Sequence, residues 1–313
     1  MSSIHDLVSR RSFLQAAAPL VLGLRLIARG QTPTERGRFS DKDLPLAYER
    51  LLNLINDERA KNGLSQLAID ELACKVAAAH ALDMANGKFF SHWGSDGRKP
   101  YQRYSFAGGI DAVQENLSLA DNIESVTPSG VLGDLADMHT AMYLETPPQD
   151  GHRRTILVPS HTQVGFGIAL DGHDLRLAEL YLGRYLTIDP ISREAKRKTT
   201  VVLTGKVFNP ELWLQEVDVC WEPLPTPPPA EWLRAPRPYS LPTNYSVLRP
   251  RPPLGTRYHD GTTGDFDYTD KGRFRAPVKL FRDEPTIYTV VFWLRPSATE
   301  KAFPAAQICI RSD

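Results

Sequence analysis

The sequence predicts an α+β domain over residues 41–195 and an all-β sandwich over residues 196–313. In the first part, apolar residues recur with helical spacing over residues 48–55. Later in the same part, residues 164–185 contain two apolar strand patterns separated by an Asp-Gly turn. In the second part, large apolar residues recur at every second position at Tyr288, Val290, Phe292 and Leu294, which favours strands with one buried face per sheet.

Length and charge limit the classes of protein to be considered. The chain has 313 residues, enough for about two domains. Lys plus Arg and Asp plus Glu both number 37, so no basic field is available for nucleic acid or an anionic membrane surface. The three cysteines, none in a C-x-x-C pair, exclude a Cys-rich zinc module and a dense disulfide scaffold.

Residues 1–40 are predicted to form a twin-arginine export signal and a linker. Arg10 and Arg11 directly precede an apolar run over residues 13–24, which is the layout of such a signal. That run is too short to span a bilayer comfortably. We therefore expect export to the periplasm or the extracellular side, with no transmembrane segment in the mature protein. The alternative is an ordinary basic start to a cytosolic helix.

Three helices are predicted in the first domain. The first carries the apolar stripe of residues 48–55. The second begins at Asp70, a good N-cap residue, and its apolar stripe includes His80, which we interpret as a hydrogen-bonded core residue outside the site. The third opens with Thr127 as N-cap and Pro128 at the first helical position. Helices interleaved with a few mostly antiparallel strands favour an α+β sandwich.

A segment rich in loop-forming residues, residues 89–116, lies between the second and third helices. Gly94 and Pro100 interrupt regular structure there, and His92 and Glu115 stand near its ends. Because loops on a rigid scaffold often carry function, we expect part of the site in this segment. The alternative is that its polar side chains only attach an irregular loop to the domain.

Five ordered motifs carry a family resemblance: NDERAKNGL, FFSHWGSDG, QENL, ETPPQDGHRRTIL and HTQVGFGIAL. Together they resemble the bacterial form of the CAP superfamily (cysteine-rich secretory, antigen 5 and pathogenesis-related proteins), also called SCP-like, over roughly residues 48–189. The resemblance implies a CAP-type α-β-α sandwich with a central cleft that holds two histidines and two glutamates. In this sequence the matching residues are His92, Glu115, Glu145 and His152.

Two imidazoles and two carboxylates suit a divalent metal ion, with zinc favoured over nickel, copper or manganese. Alternatively, each histidine donates to a neighbouring glutamate in a buried network that needs no metal. The sequence has no G-x-S-x-G elbow, H-E-x-x-H helix or P-loop, so nucleophilic catalysis has little support. A metal-activated water with Glu115 or Glu145 as general base is the enzyme mechanism that these residue types permit.

Two functions follow from these residues and the resemblance. The first is an exported, non-catalytic binding module whose cleft holds a divalent metal or a small apolar ligand. Its partners would be a small molecule or lipid, or a surface or protein that contacts the C-terminal domain. The alternative is a metal-dependent, peptidase-like hydrolase that uses the same cleft. The missing hydrolase motifs favour the first function.

The C-terminal part is predicted to be an Ig-like β-sandwich with a Pro-rich arm. The arm, residues 223–253, is too long for a hairpin loop and is expected to extend across the domain surface. Cys220 and Cys309 lie on predicted strands of an exported protein, so we expect a disulfide between them, with unbridged thiols on the polar side of each strand as the competing interpretation. Strands are expected at residues 201–207, 216–221, 278–281, 287–294 and 306–311.

Overall fold

The computed structural model describes residues 37–235 and 237–313, so the predicted export signal at Arg10 and Arg11 lies outside the described residues. A short 3-10 turn, Asp41–Asp43, precedes the first helix. The helices are α1 (Leu44–Lys61), α2 (Glu71–Gly87), α3 (Pro100–Phe106), α4 (Pro128–Tyr143), α5 (Gly151–Ile156) and α6 (Ala230–Arg234).

The strands form three sheets. Their bounds are β1 (Ala68–Ile69), β2 (Ala112–Ala120), β3 (Gln163–Asp171), β4 (Asp174–Gly183), β5 (Leu186–Ile188), β6 (Glu194–Ala195), β7 (Thr200–Val207), β8 (Trp213–Pro223), β9 (Tyr245–Leu248), β10 (Asp267–Tyr268), β11 (Arg273–Lys279), β12 (Thr286–Arg295) and β13 (Phe303–Ser312). No helix in the described ranges is long and apolar enough to cross a membrane.

The chain divides into two compact units. The first contains the described residues up to Lys99 together with Gln114–Tyr181 and Pro227–Tyr239. The second contains Pro100–Val113, Leu182–Thr226 and Ser240–Asp313. The Pro227–Tyr239 segment thus belongs to the first unit although it follows β8 in sequence.

The first unit has helices on both faces of a four-stranded sheet with strand order β1-β3-β4-β2. Val164 and Phe166 of β3 are fully buried in the core formed with α1 and α4. On the opposite face of β3, Gly165 and Gly167 lie against α2. A Cβ atom on Gly167 would lie 2.1 Å from the Ala77 carbonyl oxygen, so the missing side chain allows the helix backbone to approach the sheet. The predicted α-β-α sandwich is confirmed.

Two helix starts follow directly from local sequence. Asp70 Oδ1 accepts a hydrogen bond from the Ala73 backbone N–H at 2.7 Å. Thr127 Oγ1 accepts from the Gly130 N–H at 3.4 Å, and Pro128 occupies the first helical position. Each cap satisfies one of the backbone donors that a helix leaves without an internal partner. Both predicted caps are confirmed.

The prediction of an irregular segment over residues 89–116 is wrong in part. Pro100 begins α3, where a missing N–H has no cost because the first-turn donors have no partner within the helix. Glu115 lies on β2, an edge strand of the sheet beside β4. The glycines and prolines correctly indicate turns beside α3 and β2, but they do not predict the helix and the strand themselves.

The second unit contains the predicted β-sandwich. One sheet has the order β10-β11-β7-β5 and the other the order β6-β13-β12-β8-β9. Side chains from both sheets share a single hydrophobic core, in which the rings of Phe274 and Phe292 lie 5.0 Å apart. The predicted strands are confirmed, each shifted or lengthened at its ends. The core includes Leu203, Val207, Leu214, Val217, Val219, Ala276, Val278, Tyr288, Val290, Leu294, Ile308 and Ile310.

The predicted disulfide between Cys220 and Cys309 is wrong, because the structure contains them as unbridged thiols. Both residues pair with Thr289 of the central strand β12, one from each side. They are therefore two strand spacings apart, roughly 9–10 Å, beyond the ~7 Å limit for a disulfide. Neither is solvent-facing, and on β13 the Cys309 N–H donates to Ser105 Oγ of α3 at 2.7 Å.

The Pro-rich region is not extended throughout. It contains the short helix α6 and the strand β9, which pairs antiparallel with β8. The Pro227–Tyr239 segment, which contains α6, has two buried side chains among its described residues, those of Leu233 and Tyr239.

Candidate functional site

The four predicted site residues form two histidine–glutamate pairs. His92 Nδ1 donates to Glu115 Oε1 at 3.0 Å. His152 Nδ1 donates to Glu145 Oε1 at 2.5 Å, and the His152 backbone N–H donates to Glu145 Oε2 at 2.9 Å. Because ionised carboxylates are acceptors only, each ring places its Nδ1 proton toward its glutamate.

Different elements position the two pairs. His92 lies in the loop after α2, and its partner Glu115 lies on β2. His152 occupies the first turn of α5, whereas Glu145 follows α4. Both carboxylate oxygens of Glu145 are occupied by one residue, His152, so this pair closes the short connection between the two helices. The resulting double hydrogen bond fixes the ring orientation of His152.

A neighbouring amide connects the pairs. Asn116 follows Glu115 on β2, and its Nδ2 donates to the backbone carbonyl of His152 at 3.1 Å. Asn116 is 1% exposed, so this contact is removed from solvent. Two consecutive residues of one strand therefore contact both histidines, and the QEN sequence connects the two halves of the site.

One atom of the site is buried without a hydrogen-bond partner. His92, Glu115 and His152 are buried, and the Glu145 side chain is 18% exposed. Nε2 of His152 is inaccessible to solvent and contacts no donor or acceptor within the part of the chain that the structure describes. Buried polar atoms in folded proteins are nearly always paired, so this nitrogen marks a place where a ligand would gain an interaction.

Two further residues contact the site. His80 Nε2 donates to the Ser91 carbonyl at 2.8 Å and lies 3.9 Å from Glu115 Oε1. Its predicted character as a hydrogen-bonded core residue is confirmed, but it also borders the first pair. Tyr239 contacts both members of that pair: its ring centroid lies 5.1 Å from that of His92, and its hydroxyl accepts from the Glu115 N–H at 3.0 Å.

The apolar stripe predicts His80 as a core residue outside the site, and no sequence feature predicts a role for Tyr239. The position of His80 on the helical stripe that ends just before His92 was a usable signal, because it places the ring near the start of the following loop. No local signal pointed to Tyr239, which lies 124 residues from Glu115.

Within the two pairs, the atom that could be offered to a metal ion is an imidazole nitrogen rather than a carboxylate oxygen. Nε2 of His152 lacks a partner and Nδ1 is held by Glu145, which is how a carboxylate orients a metal-binding histidine. Each glutamate accepts from its own histidine. Within residues 37–235 and 237–313, no group of three or more His, Cys, Asp or Glu side chains is arranged to hold a metal ion.

A second histidine–carboxylate cluster lies in the core of the first unit. His139 Nδ1 donates to Glu179 Oε1 at 2.6 Å, and its Nε2 donates to Glu58 Oε2 at 2.8 Å. Burial alone would lower the pKa of His139, but the two carboxylates outweigh it and raise the pKa to about 10. Tyr181 completes the cluster by donating to Glu179 Oε2 at 2.7 Å. The imidazole is thus a buried cation held between two anions.

An adjacent histidine has the opposite electrostatic character. Burial and the positive charge of Arg59 lower the pKa of His161 to about 3. Its ring stacks on Tyr181 with centroids 5.5 Å apart. Arg59 is itself fully buried and donates to four backbone carbonyls, those of Ser65, Ile156, Val158 and His161. These contacts give this second cluster a structural role.

Comparisons with known proteins identify similar sequences for the part of the chain that contains both histidine–glutamate pairs. Residues 52–185 match the family model described as CAP, cysteine-rich secretory protein family. The chain is 32% identical over 128 residues to YkwD of Bacillus subtilis, covering 40% of this chain and 44% of that protein. It is 28% identical over 120 residues to the membrane protein YlbC of the same organism, covering 38% and 31%. The chain thus spans less than half the length of these curated relatives.

Solved structures give weaker similarities. An outer surface protein from Borrelia burgdorferi aligns with a TM-score of 0.35 and 20% identity, covering 48% of this chain and 99% of that one. An extracellular protein containing a SCP domain from Bacillus anthracis aligns with a TM-score of 0.35 and 20% identity, covering 50% and 45%.

The family match spans α2 to α5 and β1 to β4, the elements that position both histidine–glutamate pairs. The resemblance stated from the sequence motifs is therefore confirmed, and residues 52–185 of the chain match the CAP family model.

Proposed function

We propose that this chain is an exported, non-catalytic binding protein and that its two histidine–glutamate pairs hold the ligand. The buried Nε2 atom of His152, which lacks a partner, carries the proposal. Leaving such an atom unsatisfied costs roughly 1–3 kcal/mol, which a bound ligand would offset by supplying a hydrogen-bond donor or a Lewis acid. The ligand is a divalent metal ion or a small, largely apolar molecule with one donor group.

For the metal form, the residues that would hold the ion are His92 and His152. Glu115 and Glu145 would orient the rings by accepting hydrogen bonds from the Nδ1–H groups, which leaves Nε2 as the metal-binding nitrogen of His152. A bound zinc ion would supply Lewis acidity at this position.

Calorimetric titration of Zn²⁺ into the wild type, His152→Ala and His173→Ala tests the metal form. His173 is the matched control because its Nδ1 bonds the Ile123 carbonyl, away from both pairs. We expect the wild type and the control to bind alike and His152→Ala to lose at least roughly tenfold in affinity, since one of two ligands is gone. Binding should weaken at lower pH because protons compete for the imidazole nitrogens.

Equal zinc uptake by the wild type and His152→Ala, or none by either, would falsify the metal form. The small-molecule form then stands alone and is tested by native mass spectrometry of the exported protein. A mass increment present in the wild type and absent from His152→Ala supports it, and identical unliganded masses contradict it.

The competing function is a metal-dependent hydrolase in which Glu115 or Glu145 acts as general base. Both glutamates already accept a hydrogen bond from a histidine N–H, which favours an orienting role over proton abstraction from water. A peptide and ester hydrolysis screen with added zinc separates the two functions. Turnover that disappears in Glu145→Gln would overturn the non-catalytic proposal.

The export route rests on Arg10 and Arg11 before the apolar run. Replacement of both arginines by lysine should leave the protein in the cytoplasm, as measured by cell fractionation. Unchanged export of this double variant would remove the twin-arginine assignment without affecting the binding site.

A further inference from the structure

The end of the Pro227–Tyr239 segment rests on the first histidine–glutamate pair. Tyr239 is 3% exposed, and its ring lies 5.1 Å from that of His92 with an interplanar angle of 57°. The Tyr239 hydroxyl accepts the Glu115 backbone N–H at 3.0 Å. One aromatic side chain therefore covers the imidazole and fixes the strand that carries its carboxylate partner.

A second contact joins the segment to the residue that follows His92. Trp232 of α6 packs edge-to-face on Trp93 with centroids 5.3 Å apart. On Trp232, the guanidinium of Arg237 lies 4.4 Å from the ring centroid, and its Nε donates to the Trp232 carbonyl at 3.2 Å. The segment thus folds on itself around Trp232 and presents that ring to the loop that contains His92.

A third contact lies at the start of the same loop. Arg234 Nε donates to the carbonyl oxygen of Lys88 at 3.4 Å. The Pro227–Tyr239 segment therefore touches residues 88–93 at three points and reaches Glu115 as well. These are the residues on which the first pair of the site is built.

The segment contributes few buried side chains. Leu233 and Tyr239 are its buried side chains among the residues described, and its one helix has five residues. Regions with few buried apolar contacts open with smaller free energies than the core of a domain. By contrast, the core around His139 is built from long elements with many fully buried side chains. Release of the segment would leave that core intact.

We propose that Pro227–Tyr239 is a strap that closes the site over His92, and that a ligand reaches His92 only when Tyr239 is displaced. Tyr239 is then a positioning residue for the pair in the closed state. The inference rests on the proposed function for the role of the site, but the covering of His92 can be measured with no ligand present.

Carbethoxylation of histidines with diethyl pyrocarbonate, followed by peptide mapping, measures the covering directly. The variants are Tyr239→Ala, which removes the cover, and Trp232→Ala, which loosens the strap without touching His92. Tyr239→Phe is the matched control, because it keeps the ring and removes only the hydroxyl. We expect His92 to react slowly in the wild type and in Tyr239→Phe, and roughly tenfold faster or more in both alanine variants.

Two internal references make the result decisive. His259 is exposed and reports the activity of the reagent, whereas His139 is fully buried and reports loss of the core. Faster reaction of His92 with His139 still protected supports the strap. Three results overturn it: His92 in the wild type reacts as fast as His259, His92 stays protected in both alanine variants, or His139 becomes reactive together with His92 in both. A failed zinc titration would leave this measurement unaffected.

Discussion

Replacing His139 by glutamine removes the buried cation between Glu58 and Glu179 while keeping a polar side chain of similar reach. The pKa of His139 is raised from 6.5 to about 10 in the folded protein. At about 1.4 kcal/mol per pKa unit, this rise corresponds to roughly 5 kcal/mol of stability from the imidazolium. The figure is of the same order as the roughly 3–5 kcal/mol lost when one partner of a buried ion pair is removed.

The stability that His139 contributes should depend on pH in a definite direction. A group with a raised folded-state pKa contributes stability that is fully present below its unfolded value, here 6.5. That contribution is lost as pH rises through the folded value of about 10. The difference in unfolding free energy between the wild type and His139→Gln should therefore be largest near pH 6 and shrink steadily toward pH 10.

Urea unfolding at several pH values measures this difference, and hydrogen exchange of peptides from α4 assigns the loss to the first unit. His173→Gln is the control. Its ring bonds a backbone carbonyl, so it should cost only about 0.5–1.5 kcal/mol. The reasoning is refuted if His139→Gln is within about 1 kcal/mol of the wild type near pH 6, or if the difference grows with pH.

Three other outcomes follow from local geometry. In thermal unfolding, Gly167→Ala should destabilise the protein by roughly 1–3 kcal/mol or more, because the added Cβ would meet the Ala77 backbone. The control is Gly133→Ala on α4, where a Cβ has open space, and it should be neutral or stabilise the protein by up to about 1 kcal/mol. Asp70→Ala should cost about 1 kcal/mol in the same assay, since it removes the cap on the Ala73 N–H; no loss would contradict the cap. Alkylation without reductant should label no cysteine in the native protein, because all three are buried, and all three after denaturation. A disulfide between Cys220 and Cys309 would instead leave only Cys74 reactive in the denatured protein.

The parts of the fold that could be predicted are those encoded in local periodicity. Asp70 and Thr127 predict helix starts because each side-chain oxygen accepts a hydrogen bond from a backbone N–H only three residues later. The apolar residues at every second position from Tyr288 to Leu294 likewise predict the central strand of the sandwich, but the expectation of a single buried face is wrong there, because the residues between them are buried as well. These signals depend on neighbours within a few residues, so the chain itself displays them.

The parts that were missed depend on residues far apart in sequence. Cys309 was expected on a polar strand face, but α3 covers that face through Ser105, which lies 204 residues away. Tyr239 reaches the site from the Pro-rich region across 124 residues. Nothing in the composition of either segment reveals which surface it will meet.

For the candidate site, the sequence predicts which residues take part but not how they are arranged. Its four residues were identified through motifs that resemble a family, and residue chemistry then left two arrangements open, a metal ligand set or paired hydrogen bonds. The structure pairs His92 with Glu115 and His152 with Glu145. Within the two pairs it also leaves Nε2 of His152 buried without a hydrogen-bond partner among the described residues, a detail that spacing cannot encode.

The most direct test of the binding site is the imidazole ¹⁵N spectrum of histidine-labelled protein recorded with and without Zn²⁺. His152→Ala assigns the His152 signals by their disappearance, and the enclosed His139 serves as the internal reference. We predict that saturating zinc moves the Nε2 resonance of His152 and leaves both His139 resonances unchanged. A His152 Nε2 resonance that stays in place at saturating zinc would contradict its assignment as the metal-binding atom.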